Sequence, residues 1–411
     1  MIKFFHIADI HLGVENYGKL DNKTGINTRL IDFQKTLSSI IDKAIEEKVD
    51  FLLFAGDAYK TAYPTPTEQK MLMVEFFKLL KANIPIIAIV GNHDHPLSFG
   101  KSNALEILNY IPLSGLYVFS NPDLIKIKTK NGYIQIIGVP WPTRSNLKIK
   151  ESFKNKKNKD ITQYLARHTA KKIKELHEKL DPNIPAILAG HLTVSSGIFS
   201  GSEKKAIFGN DPILYPQELA LPGIDYVALG HLHRHQNLNP GKYPAIVYSG
   251  SIERIDFGER NDEKGYCVVS IDTTKQHKRC KYIFRKLKVR SMIQIDVNLE
   301  NEANPTEKLL SEIKKVDITG NIIKITYTIN YNDKDKVDTQ ALYNSCNNAN
   351  YLTISKIINK TERKNARIKI NVDMRIETLF TKYLELKKIN ENDKNRLLDK
   401  LKGICSTYDI S

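Results

Sequence analysis

Five short clusters in this chain combine residue types that bind metal ions: Asp9-x-His11, Gly56-Asp57, Gly91-Asn92-His93-Asp94, Gly190-His191 and Gly230-His231-Leu232-His233. Aspartate, asparagine and neutral imidazole form a ligand set that suits Mn²⁺, Fe²⁺ or Zn²⁺ without thiolate softness. Asp9, His11, Asp57, Asn92, His191, His231 and His233 make seven candidate ligands, too many for one ion and about right for two with a bridging carboxylate. Two metals about 3.5–4 Å apart can hold an attacking hydroxide and steady the charge on a phosphate and its leaving oxygen. Each cluster alone is weak, because Asp-x-His is common by chance and a single His after Gly is more often a turn or core residue. Together, in this order, the five reverse those odds.

Their placement carries the reading. Up to about residue 285 the chain alternates short apolar strands with amphipathic helices, the pattern of a layered α/β domain. Strands are predicted at Lys3–Ala8, Phe51–Ala55, Ile86–Val90, Ile134–Val139, Ala186–Ala189, Tyr226–Leu229, Ala245–Tyr248 and Tyr266–Ile271. Every metal-type cluster stands at the carboxyl end of one of these runs, often behind a glycine that lets the chain turn sharply. In open α/β sheets, sites form in crevices at those ends. The bland alternative leaves seven polar side chains at the ends of five buried strands with nothing to satisfy them.

Helices are predicted over Arg29–Lys48, with Leu30, Phe33, Leu37, Ile40, Ile41 and Ala44 on one face, and from the capping box Thr65-Pro66-Thr67-Glu68 to Lys81. A third starts near Asp160 and reaches about Leu180. The division expected is 1–286 for the metal-bearing domain, 287–372 for a small α+β domain, and 373–411 for a helical segment. In the second part, Ile293, Ile295, Val297 and Leu299 alternate with polar residues, as do Ile323, Ile325, Tyr327, Ile329 and Tyr331. A helix is expected at Glu307–Lys315 and a third strand through Ile368, Ile370 and Val372. The last part has two apolar helix faces, Ile376/Leu379/Phe380/Tyr383/Leu384 and Leu397/Leu398/Leu401/Ile404.

Composition narrows the class. The 411 residues carry 62 Lys+Arg against 46 Asp+Glu, a net charge of +16 that favours a polyanionic partner. The apolar run near Ile84–Val90 is far short of the roughly 20 residues a bilayer helix needs. Asp9 and His11 interrupt any leader-like segment at the start. Cys267, Cys280, Cys346 and Cys405 are scattered without a CxxC pair, as free thiols in a reducing compartment would be. A cytoplasmic protein with no membrane partner is expected.

The order DxH…GD…GNHD…GH…GHxH resembles the signature of the calcineurin-like metallophosphoesterase superfamily. More narrowly, AGDAY, VGNHDHP, VPWP, AGHLT, ALGHLHRHQ and YSGSIERIDFGE resemble the SbcD-type nuclease subunits of double-strand-break repair, over about residues 1–290. That resemblance implies an α/β fold of two packed β-sheets flanked by helices, with a small α+β capping domain and C-terminal helices. It implies one metal held by Asp9, His11, Asp57 and His233, and another held by Asp57, Asn92, His191 and His231, with Asp57 bridging. His93 would be the catalytic histidine that contacts the phosphate and helps the leaving oxygen depart. Asp94 either orients His93 or caps the turn.

The cofactors implied are two divalent ions, Mn²⁺ first, with Fe²⁺, Zn²⁺ or Mg²⁺ as other candidates. The partners implied are DNA and an SMC-like ABC ATPase subunit of the SbcC type, gripped by the terminal helices unless these pack on their own protein. A homodimer through Ile107–Tyr110 or Arg29–Ile45 is a further expectation by analogy. One departure stands out: relatives can carry a histidine shortly after the Gly-Asp motif, where this chain has Ala58, Tyr59 and Lys60. Lys60 is read first as a solvated lysine, and His95 and His235 as supporting or surface residues.

Two segments offer themselves to substrate, the lysine-rich Arg144–Lys159 and the aperiodic Thr193–Pro212. The function expected is a metal-dependent DNA nuclease acting as exonuclease and endonuclease. A metallophosphatase or cyclic-nucleotide phosphodiesterase of the same superfamily is the competing enzyme, and a silent binding scaffold the competing class.

Overall fold

Period-two alternation along the buried strands sorts their side chains into separate cores, and the layering follows from that sorting. The computed structural model describes residues 1–96, 100–111, 113–143, 158–201, 211–275, 278–331, 334–359, 376–387 and 389–408. In chain order the strands begin with β1 (Ile2–Ile7), β2 (Phe51–Phe54), β3 (Ile86–Ile89) and β4 (Leu116–Phe119). They continue with β5 (Asp123–Thr129), β6 (Gly132–Val139), β7 (Ala186–His191) and the short pair β8 (Thr193–Val194) and β9 (Ile213–Leu214). β10 (Ile224–Gly230), β11 (Gln236–Asn237), β12 (Ala245–Tyr248), β13 (Gly265–Ile271) and β14 (Cys280–Lys286) follow.

Two six-stranded sheets result, ordered β14-β13-β1-β2-β3-β4 and β11-β12-β10-β7-β6-β5. Phe4, Leu53, Ile87, Ile136, Ile187, Tyr226 and Val247 fill the space between them. The alternate residues Phe5, Ile7, Leu52 and Phe54 pack outward on helices α1 (Thr28–Glu46) and α2 (Pro66–Lys81). On the far side Leu188, Val227 and Leu229 pack with Ile173 and Leu176 of α3 (Asn158–His177). The capping box read at Thr65–Glu68 closes reciprocally on α2, and the Asn27 side chain caps α1.

Four of the longer strands went unpredicted. β4, β5 and β14 are sheet edges, where one face meets solvent and charged or tyrosyl side chains break the apolar run. The fourth belongs to a separate three-stranded sheet of β15 (Met292–Asn298), β16 (Ile322–Asn330) and β17 (Tyr351–Asn359), paired in parallel. Helices over Pro305–Ile313 and Thr339–Ser345 make the crossovers, and Leu309, Ile313 and Leu342 pack with Ile295, Ile325 and Tyr327. The third strand here is thus Tyr351–Asn359, while the strand expected through Ile368–Val372 falls outside the described residues.

This small sheet is fastened to the first helix. Arg290 donates to both oxygens of Asp32 (2.6 and 2.7 Å), and Asn350 donates to Thr28 Oγ1 (3.2 Å). Phe257, Met292 and Ile322 form a small apolar cluster with Tyr17 and Tyr351 at the joint. Two helices, Ile376–Leu386 and Glu391–Tyr408, run side by side towards the end of the chain. No helix among the described residues is long and apolar enough to cross a membrane.

Candidate metal centre

The parallel strands β1, β2 and β3 deliver Asp9, Asp57, Asn92 and His93 from one sheet, and β7 and β10 deliver His191, His231 and His233 from the other. The two carboxyl edges approach so closely that side chains are excluded between them. A Cβ on Gly56 would lie 2.3 Å from the His191 ring, and one on Gly230 would lie 2.1 Å from the Ala55 carbonyl. Gly56 also sits at φ +100°. Four of the candidate ligands are themselves strained, with φ at 53° for Asp9, 50° for His11, 59° for Asp57 and 101° for His231. Non-glycine residues tolerate that region only where the surroundings over-determine it, as functional sites do. Here the surroundings are visible: Asp9 N donates to Gly56 O (2.9 Å) and His11 N to Asp57 O (3.1 Å). His231 N donates to Asp9 Oδ1 at 2.9 Å.

All seven predicted ligands come together. His191 Nε2 lies 2.9 Å from Asn92 Oδ1 and 3.3 Å from Asp57 Oδ2. Asn92 Oδ1 also lies 3.0 Å from His231 Nδ1. On the other side, His11 Nε2 lies 3.1 Å from His233 Nε2 and 3.6 Å from Asp57 Oδ2. Asp9, His11 and His233 form one group of converging ligand atoms, and Asp9, Asp57 and His191 another. Asp57 therefore faces both sides. The donor set fits two divalent ions: two buried carboxylates and four buried imidazoles aim at one another, with two ring nitrogens in near contact.

Charge is redistributed to match. Burial would raise the Asp57 carboxyl, but His191, His93 and His11 outweigh it and hold it well below its ordinary range. Burial would lower His191, yet Asp57 and Asp9 raise it to about 9. Burial depresses His11 and His231 and pushes Asp9 up.

His93 stands exposed at the rim, its ring 4.9 Å from that of His11. Its backbone N–H donates to Asp57 Oδ1 (2.9 Å), and its Nδ1 lies 2.9 Å from the Lys60 carbonyl. An Nδ1–H there leaves Nε2 available towards the site. Asp94 reads in the sequence either as orienting His93 or as capping the turn. Its carboxylate accepts from the amides of Asp57 (3.1 Å), Gly91 (3.0 Å), Ala58 (3.0 Å) and Tyr59 (3.3 Å), so of its two readings the turn brace is the one its contacts support. The role of holding the His93 ring falls to the main chain of Lys60, whose side chain is solvated. His235 stacks on Phe284 with ring centroids 3.9 Å apart and supports the fold behind the centre.

Three further residues reach the centre that carried no assigned role. Glu259 Oε1 lies 2.8 Å from His233 Nδ1, and Asp211 Oδ2 lies 3.2 Å from His231 Nε2. The Trp141 ring lies 4.8 Å from that of His231. Glu259 and Trp141 stood inside quoted motifs, YSGSIERIDFGE and VPWP, whereas Asp211 lies in the aperiodic Thr193–Pro212 stretch. Residues 202–210 of that stretch, and 144–157 of the lysine-rich one, fall outside the described residues.

The calcineurin-like phosphoesterase family matches residues 2–235. The SbcD subunit of the nuclease SbcCD from Staphylococcus epidermidis is 31% identical over 281 residues, spanning 67% of this chain and 67% of that protein. Among solved structures, a dimetal phosphatase from Danio rerio is matched over 65% of this chain and 92% of its own, at 9% identity and a TM-score of 0.36.

Proposed function

This chain belongs to the calcineurin-like phosphoesterase family, and from that premise we propose that it is a two-metal DNA nuclease subunit of double-strand-break repair. The observation that carries the reading is the convergence of five separate strand-end clusters on one centre, with Asp57 facing both halves. Asp9, His11, Asp57 and His233 would hold one ion, and Asp57, Asn92, His191 and His231 the other. Such ions, manganese first among them, would supply Lewis-acid stabilisation of the phosphate charge.

The chain's own groups do the rest. Asp57 and Asp9 supply the negative charge that holds the cations. The Asp57–His93 backbone bond fixes the rim loop over the centre. His93, steadied through Nδ1–H by Lys60 O, would act in its imidazolium form, handing the second proton from Nε2 to the departing oxygen and returning to the neutral Nδ1–H ring. A DNA substrate is supported by the net charge of +16 and by the similarity to a nuclease subunit. The reading extends to exonuclease and endonuclease action and to an SMC-like ATPase partner of the SbcC type. The terminal helices would bind that partner, since Tyr383 and Leu397 remain partly exposed on them. We divide the chain at 286 and 372 accordingly, the joint at Asp32–Arg290 tying the second part to the first. Four unpaired cysteines fit a cytoplasmic setting.

The test is nuclease activity on labelled linear duplex DNA with Mn²⁺, comparing wild type with Asp57→Ala and His93→Ala. Degradation by wild type and failure of both folded variants is the expected result. A wild type inert on DNA with and without the ATPase, yet cleaving a small aryl phosphodiester through His93, would move the assignment to a metallophosphatase or cyclic-nucleotide phosphodiesterase.

A further inference from the structure

We propose that Glu259, fixed by Lys264, is the positioning residue for His233 and thereby sets the affinity of the metal position that His233 shares with Asp9 and His11. The inference rests on the reading of His233 as a ligand. A neutral imidazole has one lone pair to offer a metal, and which nitrogen carries it is set by what the other nitrogen meets. His233 turns Nε2 towards His11, and its Nδ1 meets Glu259 Oε1 at 2.8 Å. A carboxylate there keeps the proton on Nδ1, leaves the Nε2 lone pair bare, and makes the ring a stronger donor.

The carboxylate is itself built in. Glu259 is fully buried, and its other oxygen lies 2.7 Å from Lys264 Nζ and accepts from Ile255 N at 3.2 Å. Lys264 is equally buried and also donates to the His233 carbonyl (3.0 Å) and to Ser251 Oγ (2.8 Å). One ammonium therefore holds His233 at both ends, the main chain directly and the ring through Glu259. A plain charge-compensating pair would need neither the bond to the His233 carbonyl nor the one from Glu259 to its ring. The turn Phe257–Glu259 is pinned in turn, because Phe257 packs with Met292 and Ile322 of the small sheet. The last side chain of YSGSIERIDFGE thus reaches back 26 residues to the metal centre.

The experiment is a Mn²⁺ titration of the full chain, followed by the electron paramagnetic resonance of the free ion. Melting of the metal-free protein is recorded alongside. Wild type is expected to bind two ions. Glu259→Gln keeps shape and removes charge, and should weaken one site by about 10–100-fold while leaving the other unchanged. Glu259→Asp should recover part of that loss. The pair Glu259→Gln with Lys264→Met removes both buried charges, so it should melt near wild type and still bind one ion weakly. Unchanged affinity at both sites in a folded Glu259→Gln protein would overturn the proposal. Should that variant not fold, nitrogen-15 spectra of the metal-free wild type decide: His233 carrying its proton on Nδ1 supports the assignment, and a proton on Nε2 overturns it. Wild type binding no ions at all would instead remove the metal reading beneath it.

Discussion

His231 and His233 are two residues apart, and each turns its outer ring nitrogen to a carboxylate, yet the two mounts differ. Behind His233 stands Glu259, sealed from solvent and held by a buried lysine. Behind His231 stands Asp211, with 10% of its side chain exposed, held at 3.1 Å by the Thr193 hydroxyl. The first mount leans on the joint between the large and small sheets, and the second lies on the loop that enters β9, beside the Trp141 ring. Among the described residues, the same orienting chemistry is met by an ion pair at Glu259 and by a neutral hydroxyl at Asp211, which keeps a small exposed face. A carboxylate near water needs no counter-charge, whereas a fully buried one does.

The largest effect expected is at the group that belongs to both sides. Asp57→Ala should abolish binding of both ions and lower hydrolysis by about 10⁴-fold or more, the scale for losing one member of a catalytic unit. A variant that kept either ion at full strength would break the comparison at its root, since the sides would then be independent. His93→Gln comes next. Hydrolysis should fall by about 10²–10⁴-fold while the Mn²⁺ titration stays as in wild type. A loss of metal in that variant would make His93 a ligand, as its place near His11 and Asp57 allows.

The two mounts are separated by stability rather than rate. Lys264→Met strands the Glu259 charge in the interior and should cost about 3–5 kcal/mol, read from denaturant unfolding of the metal-free protein. Thr193→Val removes one neutral bond and should cost about 1 kcal/mol in the same measurement. Equal costs would mean that burial does not distinguish the mounts. Asp211→Asn should weaken the ion near His231 by about 10–100-fold and spare the other, the mirror image of Glu259→Gln.

Much of this centre was legible in the sequence because its information is local. Asp9, Asp57, Asn92 and His191 each sit within a few residues of an apolar run that fixes where the side chain emerges. The glycines before Asp57, Asn92 and His191 are readable as sharp turns, although the contact that forces one of them, Gly56 against His191, shows only in the fold. What the sequence hid is set by distance. Glu259 and Asp211 meet their histidines across 26 and 20 residues of chain that include whole strands, and no spacing rule reaches that far. Asp94 was readable two ways, as a partner of His93 or as a turn cap, because adjacency in sequence does not say where a side chain in a tight turn points; its carboxylate accepts from four amides behind the loop. Edge strands β4, β5 and β14 escaped because half-exposed strands carry polar residues that mask the alternation.

The smallest effect is a proton count, and it tests whether the sides also differ in charge before metal arrives. His11 is held well below its ordinary value by burial, so the His11–His233 side presents a neutral His11 at pH 7. Although burial opposes it, the charges of Asp57 and Asp9 raise His191 to about 9, so the other side is protonated. A histidine must lose its proton to ligate, so below pH 9 filling that side should release about one proton. Titration calorimetry in buffers of different ionisation enthalpy reads the number directly. The sign for folding runs the opposite way. A raised folded value means that His191 stabilises the metal-free protein fully below its unfolded value of about 6.5, and that this contribution fades as pH climbs through 9. Metal-free protein should therefore melt progressively lower between those limits, while metal binding strengthens over the same range. Proton release that is zero at pH 7, or shared equally by both ions, would erase the electrostatic half of the comparison and leave only the mounts.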